Sequence, residues 1–223
     1  MAGKESRNAL SGMHLSPAIR NFFDARLTRH AVLVNPALAV KGPRLKIRKG
    51  KTLPLMPKQA RKLVKALDTS TVVGLRDRAA ISILIYTGAR VGAIAELRVK
   101  DFYTDGQQYK FHFEEKGDTS REIPCRQDLE DILHDYMGAA GIGMDEPEAP
   151  LFRTSRGRSK KLTDKPMTAD DMYRMVKRRF RDAGLPAPTF SCHSFQAGAA
   201  TDLIGRGVSR KDVQRLVIQV SRP

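Results

Sequence analysis

The chain has 223 residues, of which 41% are hydrophobic and 29% charged, a balance that excludes a disordered chain and supplies enough apolar material for one core. Lys and Arg number 40 against 24 Asp and Glu, and the resulting net charge of +16 points to a polyanionic partner, above all nucleic acid. Two cysteines exclude a disulfide framework, no run of apolar residues is long enough to span a membrane, and the first 23 residues lack the apolar core of a signal peptide, so the expected location is the cytoplasm.

Taken in chain order, the first periodic segment lies within residues 13–34. Ile19, Phe22, Phe23 and Leu27 recur there at helical spacing. One helix cannot bury itself, so residues 1–40 read as the remnant of a larger domain or as a strut on the main one. Residues 41–54 (KGPRLKIRKGKTLP) read as an extended basic linker, with Arg44, Lys46, Arg48, Lys49 and Lys51 as candidate contacts to a phosphate backbone. The main domain is expected over 55–223. Pro57 opens a short helix running to Leu67. Leu75 to Tyr86 is nearly all apolar after its first turn, which predicts a buried helix. Thr87-Gly88 ends it, and Ala89 to Leu97 starts another.

Gln108 to Lys116 alternates, with Tyr109, Phe111 and Phe113 on one face and Lys110, His112, Glu114 and Lys116 on the other. Gly117-Asp118 is a turn, and Arg121 to Pro124 is the return strand. Further helices are expected over Gln127–Met137, Thr168–Ala183, Ser194–Arg206 and Ser209–Gln219. The sum is a mostly helical α+β domain with a small antiparallel sheet. Charge is segregated along this chain. Lys41 to Leu67 holds ten basic residues and no acid, whereas Asp128 to Ala149 holds seven acids and no base. Leu151 to Leu185 is basic again, and Arg153, Arg156, Arg158, Lys160 and Lys161 are candidate DNA contacts.

The chemistry is narrowed first by what is missing. The sequence has no Walker-type phosphate loop and no dinucleotide fingerprint. Its five histidines have no metal-ligand spacing to one another or to the cysteines, and no acidic cluster suggests two-metal catalysis. Three places remain. Arg90 follows an apolar helix and a glycine at a helix junction, Lys116 sits at a hairpin tip, and His193 opens a helix. Each alone is ordinary: a surface arginine, a turn lysine, a helix-opening histidine. A basic RNA-associated protein would place no constraint on the three together.

Taken together they resemble the tyrosine recombinase (phage integrase) family, whose catalytic domain carries T-G-x-R at a helix junction, a lysine on a β-hairpin and H-x-x-R opening a helix. Here the matching stretches are T-G-A-R ending at Arg90, Lys116 on its hairpin, and H-S-F-Q from His193 to Gln196. R-E-I-P after the hairpin and GVSRKDVQRL near the end fit as well, so the resemblance covers roughly residues 55–216. It implies that residues 13–40 are the last helix of a core-binding domain. It also implies a partner, double-stranded DNA, and a metal-free, cofactor-free reaction in which a tyrosine forms a 3′-phosphotyrosyl link. Arginines bind the non-bridging oxygens, the lysine protonates the leaving 5′ oxygen, and the histidine assists proton transfer.

The sequence departs from that pattern in three ways. Gln196 stands where the second arginine belongs, Ala93 where many members carry an acid, and VIQVSRP follows Leu216 in place of a second His or Trp and the nucleophilic tyrosine. The five tyrosines (Tyr86, Tyr103, Tyr109, Tyr136, Tyr173) fit packing or surface roles. The expected function is therefore a cleavage-deficient, DNA-binding member of the family, or a non-catalytic protein that occupies recombination sites, alone as a homo-oligomer or in mixed assemblies with an intact recombinase. Apolar surface around Leu203, Val213 and Leu216 is expected to be partly bare.

Overall fold

A computed structural model describes residues 19–38, 53–115, 119–157, 159–209 and 211–213. It divides into two units, Met1–Gly50 and Lys51–Pro223. The linker residues Arg44, Lys46, Arg48, Lys49 and Lys51, the hairpin residue Lys116, and Arg158 and Leu216 lie outside the described residues.

In the first unit, helix α1 covers residues 19–28 and ends at His30, which takes a positive φ of 55°. Asn35 folds the following turn back on it. Its amide donates to the Arg20 carbonyl at 3.1 Å and to the Asp24 carboxylate at 2.6 Å, while its own oxygen accepts from the Ala37 N–H at 2.9 Å. One buried amide thus satisfies three groups and fixes the turn.

The second unit runs α2 (Pro57–Lys65), α3 (Val72–Thr87), α4 (Val91–Ala95), β1 (Phe102–Thr104), β2 (Tyr109–Glu115), β3 (Thr119–Pro124), α5 (Gln127–Ala140), β4 (Arg153–Ser155), β5 (Leu162–Pro166), α6 (Ala169–Asp182) and α7 (Cys192–Gly205). It is mostly helical, with one antiparallel sheet in the order β1-β2-β3 and a separate antiparallel β4-β5 hairpin. Phe111 and Phe113 are buried and stack in line with Phe102, as the alternation predicts, and Tyr109 is half-buried beside them.

Helix α3 is the axis of this unit. Ala79, Ala80, Ile81, Ile83 and Leu84 are all fully buried, because α2, α4, α5 and α7 pack around it. It starts at Val72, three residues ahead of the sequence expectation, because the Thr71 hydroxyl caps the Gly74 N–H at 3.1 Å. Helix α4 is shorter than expected, at five residues. Strands β1, β4 and β5 were not anticipated: they are three to five residues long and carry too few positions for a period to register. Val213 is buried, which corrects the expectation of partly bare surface there, whereas Leu203 is half-buried as expected.

Two charges sit inside this apolar frame. Asp77 is completely buried, and its carboxylate accepts from Arg76 on the same helix (2.6 and 3.0 Å) and from Arg179 of α6 (2.6 and 2.8 Å). Arg76, itself 2% exposed, spends its remaining arm on the Arg153 carbonyl of β4 at 2.8 Å. Removing one partner from such a cluster leaves buried charge uncompensated. Asp77→Asn is therefore expected to lower the unfolding free energy by about 3–5 kcal/mol in a urea titration. A loss below about 1 kcal/mol would show that packing alone holds the arginines.

Candidate active site

The end of α3 is built to place Arg90. The buried Thr87 hydroxyl donates to the Ile83 carbonyl at 2.7 Å and accepts from the Ala89 N–H at 3.1 Å, so it grips both sides of the turn. Gly88 between them takes φ 60°, a conformation that costs a side-chain-bearing residue energy. Ala89 is buried, and the chain then turns at once into α4 with Arg90 as its N-cap. Arginine is a poor N-cap, and its side chain makes no capping bond there. Arg90 is half-buried at this junction. The tight turn fixes its Cα while the long side chain keeps its reach.

His193 is placed by a different set of contacts. The loop before α7 is held by Lys177 of α6, whose ammonium donates to the carbonyls of Ala187 (2.5 Å) and Phe190 (2.6 Å). Phe180 stacks on both Phe190 and Phe195, and Cys192, Ser194 and Phe195 all point inward. Helical geometry then turns His193 and Gln196, three apart, to the outer face. The backbone of residue 55 lies against this turn: its N–H donates to the Ser194 carbonyl at 2.9 Å. Gly198 faces the same strap. A Cβ there would sit 2.4 Å from the Leu55 carbonyl oxygen, so only glycine admits this approach. Helix α7 also packs on α3, the helix whose last turn delivers Arg90.

On that outer face the structure brings His193 and Gln196 together. The ring Nδ1 lies 3.2 Å from the amide oxygen of Gln196. An amide oxygen only accepts, so this pairing places the proton of a neutral ring on Nδ1 and leaves Nε2 as its acceptor nitrogen. Gln196 is half-buried and His193 exposed. The result is an exposed imidazole with an uncharged neighbour.

The other expected contacts divide by exposure. Arg156, Lys160 and Lys161 are exposed at the tip of the β4-β5 hairpin, where the Arg156 N–H bonds the Lys161 carbonyl at 2.9 Å and the Thr154 and Thr163 hydroxyls meet at 2.6 Å. Arg153 is different. Its side chain is 11% exposed and is paired with Glu146 and Asp164 at 3.5 Å each, while its carbonyl carries Arg76. Any DNA contact by Arg153 would compete with these two carboxylates. Asp77, Arg76 and Arg179 were missed from the sequence. An Arg-Asp pair within a helix otherwise nearly all apolar is the signal that reveals them.

The hydroxyls of three of the five tyrosines are held by acceptors. Tyr86 donates to the Asp128 carboxylate at 2.5 Å, and burial together with that bond raises its pKa. Tyr103 donates to Glu122 at 2.7 Å, which also pushes its pKa up. Tyr136 is fully buried on the Leu151 carbonyl and is pushed by burial to about 12. Tyr109 stacks on Phe102, and Tyr173 lies under the Lys177 ammonium. Burial likewise raises the thiols of Cys125 to about 12 and Cys192 to about 11, so both stay protonated near neutral pH. Among the described residues, no group of three His, Cys, Asp or Glu side chains converges as metal ligands would, and no helix is long and apolar enough to cross a membrane.

Comparison with known proteins gives a consistent picture. Residues 54–217 match the model of the phage integrase family. The chain is 26% identical to tyrosine recombinase XerD of Listeria innocua over 219 residues, which is 97% of this chain and 70% of that protein. It is 29% identical to tyrosine recombinase XerD of Pseudomonas putida over 203 residues, 89% of this chain and 63% of that one. Among solved structures, it is similar in fold to a lambda integrase tetramer bound to a Holliday junction, with TM-score 0.67 and 18% identity over 98% of this chain and 58% of the other. The XerH site-specific recombinase bound to difH substrate matches with TM-score 0.58 and 21% identity, over 77% of this chain and 48% of the other. The chain thus spans between about half and 70% of the length of these proteins.

The strap at residue 55 predicts a test of this architecture. Gly198→Ala forces the α7 backbone away from Leu55 and is expected to destabilise the domain by about 1–3 kcal/mol, despite the better helix propensity of alanine. Thermal melting followed by circular dichroism reads this directly. An unchanged or raised midpoint would show that the strap yields freely.

Proposed function

The chain belongs to the phage integrase family, and from that premise we propose that its 223 residues bind double-stranded DNA and grip a phosphodiester without cutting the strand. The observation that carries this reading is the His193–Gln196 pair. At the position where the family resemblance calls for a second guanidinium, this chain holds a neutral amide, and that amide is engaged with the neighbouring imidazole.

The chemical consequence follows from charge. A phosphoryl-transfer transition state gathers negative charge on the non-bridging oxygens, and a guanidinium fork meets two of them at once. Gln196 offers at most an amide N–H pair with no net charge. Losing one such donor costs about 3–4 kcal/mol at the transition state, a factor of hundreds or more in rate. Ground-state binding depends less on that single group. Arg90, the exposed hairpin cations and the excess of positive charge supply an attraction that needs no chemistry. Lys116 is the proposed donor to the leaving 5′ oxygen in a site completed by a nucleophile. The engaged hydroxyls of Tyr86, Tyr103 and Tyr136 support the same reading.

A second role rests on assembly. Lambda integrase forms a dimer on a core site and a tetramer on a Holliday junction. A subunit of this fold that grips DNA but does not cut it would occupy recombination sites, as a homo-oligomer or beside a cleavage-competent recombinase, in the cytoplasm where such DNA lies.

Two measurements test the proposal. Duplex DNA binding is expected to weaken steeply between about 50 and 200 mM salt, by orders of magnitude when several phosphates are contacted. With a nicked suicide substrate, no covalent protein–DNA band is expected from the wild-type chain or from Gln196→Arg, since restoring a guanidinium supplies no nucleophile. A covalent band from either protein would overturn the non-cleaving reading.

A further inference from the structure

The exposed face of α2 is the strongest unassigned feature of the molecule. Leu63 is fully buried under this helix and Leu67 lies just beyond it. The opposite face carries Lys58, Arg61, Lys62 and Lys65, all exposed, at spacings of three and four. No acidic residue occurs between Lys41 and Leu67 to neutralise them. Together with Ala66 they line an open groove of about 600 Å³. Lys62 also donates to the Gly184 carbonyl at 3.3 Å, just after α6, whose last turn carries the exposed Arg181.

This arrangement is unfavourable for the helix itself. Like charges three and four apart repel, and Lys58 stands in the first turn, where the helix dipole disfavours a cation. A helix built for stability alone would interleave acids, as α5 and α6 do in their first turns. We infer that this face of α2 is a docking track for the phosphate backbone of duplex DNA, continuous with the site at His193. Continuity comes from the strap: the Leu55 N–H is bonded to Ser194, one residue after His193, and α2 begins two residues after Leu55. The reach also fits. Lys58 and Lys65 are separated by about 10 Å along the helix at ~1.5 Å per residue. Laid along the duplex axis, that spans about three phosphate steps of one strand, at ~3.4 Å per step.

The inference rests on the DNA-binding reading above, and its test separates the two. The quadruple variant Lys58→Gln, Arg61→Gln, Lys62→Gln, Lys65→Gln is compared with an equal charge change elsewhere: Arg98→Gln, Lys100→Gln, Arg126→Gln, Arg174→Gln, four exposed residues each paired with a carboxylate. Binding to a duplex DNA is measured by fluorescence anisotropy across a salt series, with melting curves to establish that each variant folds. The α2 variant is expected to bind about 10- to 100-fold more weakly near 100 mM salt, with the slope of log affinity against log salt reduced by about 3. The distal variant is expected to change by less than about threefold, and Lys58→Arg, Lys62→Arg, Lys65→Arg to keep wild-type affinity. Equal losses in both quadruple variants, or wild-type affinity in the α2 variant, would overturn the track and leave the DNA-binding reading standing. Failure of the wild-type chain to bind duplex DNA overturns both. Tighter binding of the wild type to anionic lipid vesicles than to DNA, lost in the α2 variant, would assign the face to a membrane surface instead.

Discussion

The buried carboxylate of Asp77 is the constraint around which the domain is arranged. A charge with no access to water must be met in place by opposite charge and hydrogen bonds, or the fold does not form. Arg76 and Arg179 meet it, and Arg76 in turn reaches the backbone of β4. Three elements distant in sequence are thereby held in one register: α3, the β4-β5 hairpin and α6. The elements that carry Arg90 and His193 both descend from that junction. Helix α3 runs on to the Thr87-Gly88 turn that sets Arg90. Helix α6 carries Lys177, which fastens the loop into α7 and so sets His193. Apolar packing fills the space between, but it is not directional enough to fix these positions by itself.

The positive charge of the chain divides into two populations. Arg76, Arg153 and Arg179 are engaged internally by carboxylates and carbonyls, and they contribute nothing to the capture of an outside anion. The cations of α2 and of the β4-β5 hairpin tip stand in water. Only the second group adds to the long-range field that draws in a polyanion, since an ion-paired arginine is already neutralised locally. The acidic stretch from Asp128 to Ala149 partly serves the same internal economy: Glu146 pairs with Arg153, and Glu148 with Arg98 and Lys100.

In the proposed reading the site is a grip more than a blade. An imidazole whose Nδ1 faces Gln196 presents its other ring nitrogen on the outer face of α7, where it suits contact with a phosphate. Cleavage asks for more: a second fork of positive charge and a hydroxyl free to lose its proton. The amide supplies no charge. The hydroxyls of Tyr86 and Tyr103 are tied to carboxylates that oppose ionisation, and that of Tyr136 is sealed in the core. On the proposed reading, the residues of this site supply the binding half of a phosphoryl-transfer site.

Much of this was legible in the linear chain. The apolar run of α3, the alternation of β2 and the Thr168–Asp171 cap of α6 are local patterns, because backbone geometry repeats over a few residues and its periods are written in side-chain order. The ordered motifs around Arg90, Lys116 and His193 identified the family for the same reason: each depends on a turn whose residues are neighbours in sequence. What folding alone decided was which cations face water. Arg153 and Arg156 are three residues apart and indistinguishable by composition, yet one is paired inside and the other exposed. The partnership of Asp77 with Arg179 spans 102 residues, and the seating of Gly198 on Leu55 spans the length of the domain. Such contacts depend on how helices cross, and that is fixed by the packing of the whole core and not by any segment of it.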